Sequence, residues 1–205
     1  RDQRGAGLWF CFAFAFFQML PGALQDDTLP RTRGPVLAPV SVIRTQRLLL
    51  RPARLTDLEP LHTVFSDPRA MRYWSRPAHE DITQTREMLH FLMEDRPGQV
   101  EFAIECGGRG IGRAGIWRDA EIGYILHPGY WGQGLTFEAL SALIPEIARR
   151  RPDLDRLTAE VDPRNTGSVR LLEKLGFTLV RTEEKNFLYG GWEWCDSAYY
   201  ERPLP

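Results

Sequence analysis

The sequence predicts an α/β fold, and two strand-to-helix transitions carry that expectation. In the first, Ile122, Tyr124 and Leu126 alternate with Glu121, Gly123 and Ile125, as a strand with two distinct faces does. Pro128 and Gly129 end that strand, and from Leu135 the period turns helical, with Leu135, Ala139, Leu143 and Ile147 each four apart. In the second, Leu157 to Val161 is a short strand, Asn165 is an N-cap, and Val169, Leu172 and Leu175 form an apolar stripe. Gly176 is placed to turn left-handed at the helix end, with Phe177 packing back as the next strand begins.

Glycine at 132 and 134 leaves backbone N–H groups free at the head of the helix that starts at Leu135. Such orphan donors, backed by the positive end of the helix dipole, bind phosphate or pyrophosphate without a basic side chain. The turn is not that of a P-loop NTPase, because Leu135 follows Gly134 where the lysine would stand. A G-x-G-x-x-G string runs from Gly110 to Gly115, but Ile116 and Trp117 follow it with no helical pattern. It is therefore expected to be part of a hairpin rather than a dinucleotide site.

The chain has 205 residues, with 26 Lys and Arg against 27 Asp and Glu, so its charge leaves no footprint for nucleic acid. Arg149, Arg150 and Arg151 read as a solvated helix end that complements the dipole. Cys11, Cys106 and Cys195 are odd in number and widely spaced, with no metal-ligand or redox pattern, so a reducing compartment is expected and no metal. Residues 1–42 stand apart as an N-terminal extension. The run Leu8 to Phe17 resembles a signal-peptide core but is shorter than the roughly 20 residues of a bilayer span, and Pro21 to Pro39 has a linker's composition. A flexible extension is expected there, with a helix lying on the domain or on a membrane surface as the alternative.

Taken in order along the chain, the motifs resemble the GNAT superfamily of acetyl-CoA-dependent N-acetyltransferases, and most closely its RimJ/RimL-like branch. Arg47-Leu48-Leu49-Leu50-Arg51-Pro52 resembles that branch's opening strand, with Thr56-Asp57-Leu58-Glu59 at its first helix and Gly112-Arg113-Ala114-Gly115-Ile116 as its third strand. Glu121-Ile122-Gly123-Tyr124, Tyr130-Trp131-Gly132-Gln133-Gly134 and Glu138-Ala139 resemble its cofactor motif, and Asn165, Ser168 and Glu173-Lys174-Leu175-Gly176-Phe177 complete the set. The resemblance implies one domain over residues 43–205: a mixed, mostly antiparallel sheet flanked by helices, with a splayed strand pair holding acetyl-CoA. The cofactor contacts it implies are Ile125, Leu126, Trp131, Gly132, Gln133, Gly134, Leu135, Thr136, Asn165, Ser168 and Lys174. Thr136 departs from the superfamily's usual Ala or Gly.

The implied reaction is direct attack of a primary amine on the thioester in a ternary complex, in the cytoplasm, by a monomer or homodimer. An α-amino group with a pKa near ~8, or a lysine near ~10.4, is mostly protonated at neutral pH, so a base is needed. The motif puts Glu121 beside the thioester in that role, directly or through water. Relatives often stabilise the leaving thiolate with a tyrosine seven residues after the asparagine, but Leu172 stands there, which leaves Ser168 as the hydrogen-bond donor. Tyr73, Trp74 and Trp117 are the candidate acceptor contacts. The acceptor itself stays open between a protein N-terminus and a small-molecule or antibiotic amine, and a non-catalytic acyl-CoA-binding module is the remaining alternative.

Overall fold

A computed structural model describes residues 42–94 and 96–205; the expected extension, apart from its last residue Val42, and its apolar run lie outside the described residues. Eight strands form one sheet. They are β1 (Ile43–Arg44), β2 (Leu48–Arg51), β3 (Val100–Cys106), β4 (Arg109–Arg118), β5 (Glu121–Leu126), β6 (Arg156–Val161), β7 (Thr178–Tyr189) and β8 (Glu193–Pro203). Their order in the sheet is β1-β2-β3-β4-β5-β6-β8-β7. Every neighbouring pair is antiparallel except β5 and β6. The strand expected to open the domain is β2, and the two-residue β1 folds back onto it through the tight turn at Thr45.

Helices cover both faces: α1 (Leu58–Phe65), α2 (Pro68–Met71), α3 (Ile82–Met93), α4 (Leu135–Arg150) and α5 (Thr166–Lys174). The alternation in β5 sorts them. Ile122 and Leu126 join a core with Leu135, Ala139, Leu143 and Ile147 of α4 and Leu172 of α5. Ile125, pointing the other way, joins Leu61 and Phe65 of α1, Met71 of α2 and Leu89 of α3. Asp81 caps α3 at both ends of a capping box with Gln84. Pro145 interrupts the hydrogen-bond ladder of α4 by withholding a donor from the carbonyl of Ser141, and both residues sit on the exposed side of the helix.

The end of α5 follows the sequence pattern closely. Gly176 takes φ +83°, its N–H bonds the carbonyl of Glu173, and the N–H of buried Phe177 reaches back to Leu172. The Gly110–Gly115 string lies wholly inside β4, with the hairpin turn at Gly107 and Gly108, so it heads no helix. The arginine run at the end of α4 differs from expectation. Arg149 is exposed, but Arg150 pairs with Glu146 over the Phe102 ring, and Arg151 donates to Asp153 and to the carbonyl of Gly98 at 2.5 Å. Long guanidinium stems bury along apolar surface while their heads close loop carbonyls, so this run is part of the packing rather than a solvated terminus.

Candidate active site

The sheet is broken between β5 and β6. These strands pair at one register, Glu121 against Thr158, with the N–H of Thr158 donating to Ala120 at 2.9 Å. Beyond that point they part, although β4 still pairs with β5 as far as Leu126 and β8 pairs with β6 as far as Val161. Two inner strand edges therefore face each other across a wedge that opens toward α4. At the strand rise of about 3.3 Å per residue, the edge from Glu121 to Leu126 runs roughly 17 Å. Backbone donors and acceptors on such edges need partners, and an extended ligand can supply them.

The wide end of the wedge is the glycine turn. Gly132 and Gly134 have φ of +71° and +75°, and Gly134 is the N-cap of α4. A Cβ at Gly132 would meet nothing within 4 Å, and one at Gly134 would meet only Arg47 Nη2 at 3.9 Å, so the turn presents bare backbone to open space. Glu138 holds it in place. Its Oε1 accepts from Thr45 Oγ1 at 2.6 Å and from the Arg47 N–H at 2.8 Å, its Oε2 accepts from Arg47 Nε at 2.7 Å, and Arg47 Nη1 donates to the carbonyl of Gln133 at 2.9 Å. These donors hold the Glu138 carboxyl below its usual range, the Thr45 hydroxyl most of all. Trp131 ties the turn to the strand through Nε1 donating to the carbonyl of Leu126 at 2.9 Å. Thr136 is half-buried on the first turn of α4, and Lys174 reaches across from α5 to put its Nζ 4.1 Å from the Phe137 ring centroid.

Glu121, the expected base, lies at the narrow end. Glu121 Oε1 accepts from Trp117 Nε1 at 3.1 Å and Oε2 accepts from Arg118 at 2.8 Å, while the Arg118 guanidinium lies 4.6 Å from the Trp117 ring centroid. A bulge in the β4–β5 pairing brings Trp117 and Arg118 to the same carboxylate. Ser168 sits on the first turn of α5, its N–H held at 3.2 Å by Asn165 Oδ1, so that oxygen serves as the helix cap. On β5, burial pushes the Tyr124 phenol up to about 12.

On the α1–α3 face, the missing side chain of Gly123 makes room for two neighbours. A Cβ there would meet Arg113 Nη2 at 3.2 Å and Trp117 Cδ1 at 3.4 Å. Arg113 and Glu101 form a buried ion pair, with Trp74 stacked 5.2 Å from the guanidinium, and burial raises the Glu101 carboxyl. Of the three expected acceptor contacts, Trp117 thus touches Glu121, Trp74 reaches the site through Arg113, and Tyr73 is an exposed residue beside Arg72. Of the expected cofactor contacts, Ile125 and Leu126 are buried, the Ile125 carbonyl is turned toward Gly112 of β4, the Leu126 carbonyl accepts from Trp131, and Gln133 folds its side chain onto the carbonyl of Gly129. Sequence reading missed Glu101, Arg113 and Arg118. Arg118, three residues before Glu121, was legible as an ion-pair candidate; Glu101 and Arg113 meet only through the register of a hairpin.

Residues 47–178 match the sequence model of the acetyltransferase (GNAT) domain. The protein named "Uncharacterized N-acetyltransferase p20" of Bacillus licheniformis is 31% identical over 159 residues, covering 71% of this chain and 89% of its own length. The solved acetyltransferase (GNAT family) of Bacillus anthracis superposes with a TM-score of 0.68 at 26% identity, covering 80% of this chain and 98% of its own. RimL, the ribosomal L7/L12 alpha-N-protein acetyltransferase, shares the fold at a TM-score of 0.70 and 23% identity, over 80% of this chain and 95% of its own.

Proposed function

The chain belongs to the acetyltransferase (GNAT) family, and we propose that it moves the acetyl group of acetyl-CoA to a primary amine by direct attack in a ternary complex. The observation that carries this reading is the wedge between β5 and β6, with a bare glycine turn at its wide end, Glu121 at its narrow end and Ser168 on the first turn of the helix that follows β6. The pyrophosphate sits on the backbone N–H groups from Gly132 to Thr136, and the α4 dipole favours its charge. The pantetheine arm follows the inner edge of β5 past Leu126 and Ile125, taking the ladder bonds that β6 leaves unmade. This brings the thioester to the level of Glu121.

There the acceptor ammonium gives a proton to Glu121, directly or through water, and the freed lone pair of nitrogen attacks the acetyl carbon. Collapse of the tetrahedral adduct breaks the carbon–sulfur bond, the electron pair leaves on sulfur as the CoA thiolate, toward which Ser168 donates a hydrogen bond, and the remaining extra proton on nitrogen passes to that thiolate, leaving a neutral amide and CoA thiol. Trp117 fixes the Glu121 carboxylate and walls the acceptor side, and Trp74 backs it through Arg113. We place the protein in the cytoplasm, where acetyl-CoA and free thiols such as Cys106 and Cys195 coexist.

A peptide N-terminus is the acceptor we favour, by the fold shared with RimL. The test is a coupled assay of CoA release from acetyl-CoA over N-terminal peptides, polyamines and aminoglycosides, with mass spectrometry of the products. Acetylated peptide supports the reading; turnover confined to small amines reassigns the acceptor. Tight acetyl-CoA binding with no transfer to any amine would leave a binding module instead of an enzyme.

A further inference from the structure

A turn built on two glycines has the room a pyrophosphate needs, but glycine does not by itself fix which way each peptide faces. We propose that Arg47 is a positioning residue for acetyl-CoA: its guanidinium fixes the peptide between Gln133 and Gly134 so that the Gly134 N–H faces the pyrophosphate. This inference rests on the reading that the pyrophosphate lies on this turn.

The need for such a residue comes from the backbone. Gly132 and Gly134 take φ of +71° and +75°, and glycine adopts either sign of φ at little steric cost. The peptide joining Gln133 to Gly134 is therefore free to rotate end over end unless something outside it intervenes. In one orientation the Gly134 N–H points at the ligand. In the other the Gln133 carbonyl does, and its partial negative charge repels a phosphate. Trp131 Nε1 and Gln133 Nε2 tie the turn to the carbonyls of Leu126 and Gly129, but neither bond touches this peptide.

Arg47 does touch it. Its Nη1 donates to the Gln133 carbonyl at 2.9 Å. The peptide is trans, so its N–H lies opposite its carbonyl, and a carbonyl held on the Arg47 side turns the Gly134 N–H the other way. That N–H then joins those of Leu135 and Thr136, which precede the first donor of the α4 ladder, the Glu138 N–H on the Gly134 carbonyl at 3.0 Å.

Arg47 can set the peptide because it is itself held. Its Nε and Nη2 both reach Glu138 Oε2 at 2.7 Å, and its backbone N–H donates to Glu138 Oε1 at 2.8 Å beside the Thr45 hydroxyl. The tight turn from Thr45 to Leu48 thus docks on α4 through backbone and side chain together. A planar guanidinium with two nitrogens on one carboxylate has little freedom to swing, so the third nitrogen stays aimed at Gln133.

The test compares the affinities of full-length wild type, Arg47→Met and Arg47→Lys for CoA and for pantetheine, which has the arm but no pyrophosphate. Calorimetric titration gives each Kd, and melting curves verify folding. If the fraction of turns with the competent peptide falls to about a tenth, the Kd for CoA rises about tenfold, and the preference for CoA over pantetheine falls by the same factor in Arg47→Met. Arg47→Lys keeps the positive charge beside Glu138 but has one nitrogen in place of three, so it should still lose about threefold or more of that preference. Should Arg47→Met fail to fold, Arg47→Lys alone decides. Wild-type preference in Arg47→Lys means that charge, not orientation, is what Arg47 supplies, and it overturns the proposal. Equal weakening of both ligands in the variants also overturns it, because that is damage to the whole wedge rather than the turning of one peptide. If wild type itself binds CoA no more tightly than pantetheine, the pyrophosphate does not lie on the turn, and the underlying reading fails together with this inference.

Discussion

Replacing Gly134 by alanine separates the two duties of that residue, its backbone conformation and its openness to a ligand. The position takes φ +75° and ψ 7°, a left-handed conformation that costs an L-residue about 1–2 kcal/mol. No internal clash adds to this, since the new Cβ would meet only Arg47 Nη2 at 3.9 Å. For a domain of this size about 1 kcal/mol moves the melting temperature by roughly 2–4 °C, so Gly134→Ala alone should melt roughly 2–8 °C lower. The effect on CoA is larger. The methyl group would stand where a phosphate oxygen meets the N–H groups of the turn, and losing one charge-assisted bond costs about 1.5–3 kcal/mol, or roughly tenfold to a hundredfold in Kd. Calorimetric titration gives the Kd, and melting with and without CoA gives the linked shift. At a hundredfold excess over Kd the wild type should gain about 2.7 kcal/mol, a rise of roughly 5–10 °C. If Gly134→Ala melts lower but binds CoA within about threefold of wild type, the phosphate does not lie on this turn.

Three further perturbations probe the rest of the site. Glu121→Gln should cut turnover by ~10²–10⁴-fold with CoA affinity unchanged, and a loss under about threefold in steady-state kinetics removes Glu121 as the base. Arg113→Met leaves Glu101 as a buried carboxylate without its partner and should destabilise by about 3–5 kcal/mol in denaturant titration; Glu101→Gln added to it should recover much of the loss, and no recovery would mean the pair is not coupled. Burial, with smaller contributions from Arg76 and His62, lowers His79 to about 4. The unfolded histidine titrates near ~6.5, so the unfolded chain binds the extra proton first and stability must drop as pH falls from about 6.5 to about 4. Melting curves across that window should show the slope, and His79→Gln, which keeps a polar partner for Thr85, should flatten it.

The local chemistry of β5, the glycine turn, α4 and α5 was legible because each is set by near neighbours in sequence. Alternation places Ile122 and Ile125 on opposite cores, and Asn165 and Gly176 punctuate α5 as such residues do. What stayed hidden depends on register between segments. The Glu101–Arg113 pair needs the β3–β4 hairpin to fold before the two charges meet. Arg150 and Arg151 show the same limit from the other direction: a basic run reads as solvated until the loops that accept its hydrogen bonds are in place. Composition likewise says nothing of His79, which lies buried against Phe65 and shares Thr85 Oγ1 with His62.

The most direct measurement is a crystal structure with acetyl-CoA bound. The account predicts the pyrophosphate on the backbone N–H groups of Gly132 to Thr136 and the pantetheine amides bonded to the inner edge of β5. It also predicts the thioester sulfur within hydrogen-bond reach of Ser168, with Glu121 facing the acetyl carbon from the acceptor side. Acetyl-CoA bound outside the wedge between β5 and β6, or entering it with the thioester at the glycine turn and the pyrophosphate beside Glu121, would contradict it.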